Sequence, residues 1–130
     1  MNALTKKQLK EWGFQGIEKN GNEYLVRRVW KKTKSKKMNL TFIKVHKTIV
    51  YHRYAAANIV MSFSFCVNGK QRTLSLARYI YAYYNGNIDD KHYVTHKDED
   101  PCNCDAGNLE LITKEEMLKR RFQGEKLCLK

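Results

Sequence analysis

The sequence predicts an α+β protein in which a β-rich, basic N-terminal segment over residues 1–75 precedes a C-terminal ββα unit. Three observations carry this reading. Asn-Gly pairs at positions 20–21 and 68–69 stand between β-prone runs, a strong short-range hairpin signal. At Leu76 the apolar period becomes helical, with Leu76, Tyr79, Ile80 and Tyr83 at i, i+3, i+4 and i+7. Further on, Thr113 and Glu116 stand three apart as a capping box ahead of a last helix. With the helix before it the ββα unit spans residues 76–122, and residues 123–130 form a basic tail.

Each element follows from local chemistry. Thr5 reads as the cap of a short first helix that carries Leu9 and Trp12 and stops at Gly13. Residues 14–18 and 23–30 flank Lys19-Asn20-Gly21-Asn22 as the arms of a hairpin. Five lysines in the seven residues 31–37 repel one another and cannot be buried, so this stretch reads as a loop or arm. Residues 39–46 and 48–54 are expected as strands, the second rich in β-branched and aromatic side chains. Residues 58–67 and 70–74 form the second hairpin about Asn68-Gly69. Asn85-Gly86-Asn87 ends the middle helix. A short strand over 92–96, a polar loop over 97–107 and a strand over 108–112 then lead to the capped helix, which runs to about Phe122.

Charge is unevenly distributed. Residues 1–78 carry 17 basic and 3 acidic side chains, residues 79–117 carry 3 and 9, and residues 118–130 carry 5 and 1. Basic flanks around an acidic centre suit a protein that grips phosphates at its ends and holds a cation, or ordered loops, between them. Arg27, Arg28, Lys31, Lys32, Lys34, Lys36, Lys37, Arg72, Lys119, Arg120 and Arg121 are the candidate phosphate contacts; a solvated edge is the plainer alternative. No apolar run of membrane-spanning length and no leader-like start occurs, so no membrane partner is expected. The four cysteines, at 66, 102, 104 and 128, lack the spacing of a disulfide framework, which points to reduced thiols and a cytoplasmic setting. Cys102-Asn103-Cys104 leaves a zinc site with Cys66 or Cys128 open, although no second paired spacing supports it. His46, His52 and His92 have no partnered spacing and read as surface or strand residues.

The informative constellation is Val94-Thr95-His96-Lys97-Asp98, then Asn103, then Asn108-Leu109, with the capped helix behind. Together with Arg78-Tyr79-Ile80-Tyr81-Ala82-Tyr83-Tyr84-Asn85-Gly86 ahead of it, this order resembles the HNH endonucleases of phages and mobile introns over about residues 76–121. Their ββα-metal motif reads roughly V-[DHN]-H-x-D-G-x-x-x-N-N-x-x-x-N-L-x-x-[VA]-[ST]-x-x-x-N. The resemblance implies His96 as general base and Asn108 as the brace that orients it. Asp98 and Asn103 would close the loop between them, and the last helix would lie against the DNA minor groove. Cleaving a phosphodiester needs a water, a base and a cation for the developing charge. The implied cofactor is therefore Mg²⁺ or another divalent cation if the protein is active, and none otherwise.

Among the departures from the pattern, two fall on metal-ligand positions. Where the resemblance expects metal ligands stand Thr95 and Met117, a weak hydroxyl donor and a thioether that hard cations avoid. Asp98, Asp100, Glu116 or the substrate phosphate would then have to supply oxygens. The resemblance thus implies a nucleic-acid binder, with DNA favoured over RNA and of phage or mobile-element origin. It would have impaired or absent cleavage and act by occupancy as a repressor or inhibitor. An active nicking enzyme and an antagonist of an acidic partner protein stay open. If phage-encoded, it would work in the bacterial host cytoplasm.

Overall fold

The computed structural model describes residues 3–31, 38–51 and 58–120, and its architecture is α+β. Helix α1 (Lys6–Glu11) begins where the Thr5 hydroxyl accepts a hydrogen bond from the Gln8 backbone N–H at 3.1 Å. Strands β1 (Phe14–Asn20), β2 (Glu23–Lys31) and β3 (Met38–Lys44) form one antiparallel sheet in the order β1-β2-β3. Strands β4 (His46–Val50), β5 (Asn58–Val67) and β6 (Lys70–Ser75) form a second, in the order β4-β5-β6.

Several boundaries differ from the sequence reading. Asn20 pairs with Glu23, so the first turn is Gly21-Asn22 and Asn20 belongs to the strand. The strand expected over 39–46 breaks at half-buried Val45, which packs on the core as the chain crosses from the first sheet to the second. Its continuation is described only to Tyr51, and residues 52–57 lie outside the described residues. At the second hairpin Asn68 (φ 52°) and Gly69 (φ 77°) both take the left-handed conformation that a two-residue primed turn requires.

Helix α2 (Leu76–Ile80) continues into a π-helical turn (Tyr81–Asn85), closed by a 3.0 Å bond from the Gly86 N–H to the Tyr81 carbonyl. The expected α-periodicity thus holds for Leu76, Tyr79 and Ile80, which are buried, and widens before half-buried Tyr83. The widening serves a β-bulge. Between the pairs Phe14–Arg28 and Ile17–Val26 the first strand carries one residue more than its partner, with Gly16 at φ 86°. The Tyr79 hydroxyl donates to the Gly16 carbonyl at 2.7 Å, and the Ile17 N–H donates to the Tyr84 hydroxyl at 2.9 Å. A Cβ on Gly16 would sit 2.3 Å from that Tyr84 oxygen, so the position is closed to side chains on two counts.

Phe14, Phe63, Phe65 and Tyr79 meet mostly edge to face at the centre of the core, with ring centroids 4.9–5.8 Å apart. The same core takes in Leu4 and Leu9 at one end of the chain and Ile88, Cys104 and Leu109 at the other. Leu4 and Ile88 exchange two 2.8 Å backbone bonds, pinning the N-terminal segment beside the chain that leads into the last unit.

That unit is a two-stranded finger of β7 (His92–His96) and β8 (Leu109–Thr113), with a 3-10 turn (Ala106–Asn108) just before the second strand. The expected strand start at Asn108 is corrected: its N–H bonds the Asp105 carbonyl at 2.8 Å within that turn, so the strand begins at Leu109. Helix α3 covers residues 114–120, and the Glu116 N–H donates to the Thr113 hydroxyl at 3.2 Å, the N-cap half of a capping box, while the Glu116 carboxylate accepts from Arg120 Nε at 3.2 Å. Among the described residues no helix is long and apolar enough to cross a membrane.

Candidate functional site

His96 ends β7 opposite Leu109, and cross-strand partners share a face of the finger. That face turns inward, since Leu109 is buried and Val94 and Leu111 pack on the core. Thr95 pairs with Glu110 on the other face.

The loop between the strands is closed by its own side chains. The Lys97 N–H donates to the Asn108 carbonyl at 2.7 Å across the loop's base. The Asp98 carboxylate accepts from Asn103 Nδ2, from the Asp100 N–H and from Asn108 Nδ2, each at 2.9 Å. Asn108 uses the rest of its amide too, donating to the Asn103 carbonyl at 2.9 Å and accepting from the Asp98 N–H at 3.2 Å. Short polar side chains suit such a loop because they reach main-chain groups two to five residues away. The bonds from Asn103, Asp100 and Asn108 hold the Asp98 carboxyl below the usual carboxylate range. Asp98, Asn103 and Asn108 therefore form one network at the mouth of the finger, beside His96 at its root.

The His96 ring meets a residue that the sequence offered in another role. Its Nε2 lies 3.6 Å from Sγ of Cys104, which is buried and also donates to the Pro101 carbonyl at 3.6 Å. Burial, with nearby Cys102, Asp105 and Asp100, pushes the Cys104 thiol up to about 12, so it keeps its proton at neutral pH. Burial also lowers the His96 pKa below its ordinary value, against the opposing pull of Asp98 and Asp100. The imidazole is consequently neutral at pH 7, the form a proton acceptor needs. Beside it opens a groove of about 520 Å³ bounded by Ile59 and Met61 of β5, Ser75, Thr95 and Glu99.

A second group ties this loop to the N-terminal sheet. The Tyr24 hydroxyl donates to Asp105 Oδ1 at 2.8 Å and accepts from the Cys104 N–H at 3.1 Å. Lys19 Nζ reaches the same carboxylate at 3.1 and 3.2 Å. Tyr24 was missed because it reads as an ordinary strand aromatic, and Cys104 because the pair at 102 and 104 suggested zinc. The one signal available for Cys104 was an apolar, burial-prone side chain inside a polar loop.

Residues 76–119 match the family model described as HNH endonuclease. This stretch is similar to HNH endonucleases. The match supports a nucleic-acid-related, nuclease-type function for this stretch. No curated protein and no solved structure matches the chain.

HNH nucleases generally depend on a divalent metal, and the side chains present fit one poorly. Thr95 and Met117 offer a hydroxyl and a thioether, and both Asp98 oxygens already accept bonds from the loop. Among the described residues no three His, Cys, Asp or Glu side chains are grouped to hold a metal ion, zinc included. Cys128 lies outside them.

The expected phosphate contacts divide. Arg28 is a correction: only 5% exposed, it donates from Nε to the Trp12 carbonyl at 2.8 Å and from an Nη to the Cys66 carbonyl at 2.9 Å. Its guanidinium lies over Trp30 at 4.4 Å and near Phe14 and Phe65. Residues 24, 26, 28 and 30 alternate onto the inner face of β2, and that period could have marked Arg28 as inward. Arg27 is half-buried with its Nε shielded and unbonded. Arg72 is exposed over the Trp12 ring, and Lys119 is exposed on α3. Arg120 pairs with Glu116 at 3.2 Å and Glu110 at 3.5 Å, tying α3 to β8. Lys31 ends β2, while Lys32, Lys34, Lys36, Lys37 and Arg121 lie outside the described residues. His92 meets Asp89 at 2.7 Å, and His46 is exposed at the start of β4.

Proposed function

We propose that this protein binds DNA on its HNH scaffold and occupies it, with hydrolysis impaired or lost. The observation that carries the reading is a split within one site. The half that holds a base has its chemistry: a neutral His96 beside a groove, and a loop braced by Asn108 through Asp98 and Asn103. The half that would hold a cation has a threonine and a methionine at the two positions where the resemblance asks for hard ligands. Without strong oxygen or nitrogen ligands, affinity for a hard cation falls, and with it the stabilisation of charge at a cleaving phosphate. The formal charge of +12, concentrated in residues 1–78 and 118–130, supports phosphate binding that outlives the chemistry.

The test is incubation with supercoiled plasmid and Mg²⁺ or Mn²⁺, comparing the protein with His96→Ala. Equal absence of nicking is expected, together with DNA binding that weakens steeply with salt. Nicking that His96→Ala abolishes would replace this reading with that of an active enzyme. Binding indifferent to salt would remove the phosphate grip and favour an acidic protein partner. Introducing Thr95→Asp with Met117→Asn is expected to raise cleavage; no gain would count against the alignment of those two positions with metal ligands.

A further inference from the structure

We propose that Tyr24 and Cys104 are positioning residues for the His96 imidazole, so that the β1–β2 hairpin is a working part of the HNH site. The inference rests on the proposed role of His96 as a base, although the contacts themselves do not depend on it.

The chain of contacts is short and runs inward. Tyr24 stands on β2 with its ring buried, and its hydroxyl has two partners. It donates a hydrogen bond to Asp105 Oδ1 and accepts one from the Cys104 N–H, which fixes the main chain at residue 104. Lys19, on the neighbouring strand, holds the Asp105 carboxylate from the other side. The main chain so fixed presents the buried Cys104 sulfur to His96 Nε2 at 3.6 Å.

A thiol has a single proton to donate. Of its two neighbours at 3.6 Å the Pro101 carbonyl can only accept, whereas His96 Nε2 can do either, so both contacts are hydrogen bonds only if the thiol donates to the carbonyl. The sulfur then meets Nε2 as an acceptor, so Nε2 carries the imidazole hydrogen and Nδ1 is left with the free lone pair. Cys104 thereby selects which ring nitrogen can receive a proton, a choice that the partner of a histidine's other nitrogen ordinarily makes. Tyr24 acts one step further out, by holding Cys104. The charged groups facing this arrangement are Asp98 and Asp100, which favour the protonated ring, and Glu99, which lines the groove.

Histidine ¹⁵N chemical shifts and their pH titration read the arrangement directly in the full chain, with no need for cleavage. The expected wild-type signature is one dominant tautomer at His96 with Nε2–H. Cys104→Ala should replace it with a mixed population and move the titration. Tyr24→Phe, which keeps the ring and removes only the hydroxyl, should move both in the same direction by less. Cys104→Ser restores a polar partner at shorter reach and should return part of the Nε2–H signature. Should Cys104→Ala fail to fold, Tyr24→Phe and Cys104→Ser carry the comparison. A His96 tautomer and titration unchanged in every folded variant would overturn the proposal. The plasmid assay, whichever way it falls, leaves these spectra untouched, so failure of this arrangement and failure of the proposed function are separately visible.

Discussion

The packed sheets and the finger are held by different physics. Around Phe14 the sheets cohere through aromatic rings that touch edge to face, and their ladders have regular partners along most of their length. The loop between β7 and β8 has almost no apolar content of its own. It is held by Asp98, Asn103 and Asn108, whose side chains replace the ladder where the strands part. Apolar packing is indifferent to pH, whereas a carboxylate network is ordered only while it is ionised. Among the described residues, the loop of the finger is therefore a part whose order responds to pH.

Removing the centre of the apolar region should break the comparison most severely. Phe14→Ala is expected to cost about 3–5 kcal/mol by denaturant unfolding, because its ring touches Phe63, Phe65 and Tyr79. A cost below about 1 kcal/mol would mean that these rings do not form the common core. Asn108→Ala should cost less, about 0.5–1.5 kcal/mol, since it removes the part-buried bond to the Asn103 carbonyl while exposed Asp98 is left to water. Its effect should be local, seen as faster amide hydrogen exchange in residues 97–108 while the sheets stay protected. Equal loss of protection in both regions would erase the distinction.

Acidification sharpens the contrast by titration. Burial lowers the His96 pKa from its ordinary 6.5, so the unfolded chain takes up the proton first. The stability contribution of the neutral ring is complete above about pH 6.5 and is lost as pH falls through the lower folded value. Asp98 and Asp105, both held below the ordinary 3.8, act in a separate and more acidic window: their contribution is present above that value and lost below it. Stability measured against pH should thus decline in two stages, and His96→Gln should remove only the first. A single carboxylate-range decline in the unsubstituted protein would refute the histidine's part. The smallest effect belongs to Arg120→Ala at the exposed α3–β8 tie, which should cost less than about 1 kcal/mol and shrink with salt.

Much of this architecture was legible because local signals agreed. Thr5, Asn68-Gly69 and the Thr113–Glu116 box each specify a turn or cap through their own side chains or allowed angles, and each does so here. The finger was readable from the order of His96, Asp98, Asn103 and Asn108 because the bonds that close it join residues within ten positions of one another. What escaped the sequence is what depends on distant partners. The bond of Cys104 to Tyr24 spans 80 positions, and no local pattern encodes it. Arg28 was misread as a surface charge because composition says nothing about which face of a strand a side chain occupies, although the alternation of β2 did. The widened turn after Ile80 was hidden for the same reason: its motive lies in β1.

That turn fixes a distance along the chain. An α-helix advances about 100° per residue, so side chains five apart diverge widely around its axis. Closing a turn with an i→i+5 bond brings them nearer, and here the two tyrosine hydroxyls at 79 and 84 arrive together at neighbouring main-chain groups of one bulge. One residue more or fewer between them would swing a hydroxyl aside, leaving either the buried Gly16 carbonyl or the exposed Ile17 amide without its tyrosine. The spacer is cut to gauge, and any foreign helix grafted onto this sheet would have to keep its count.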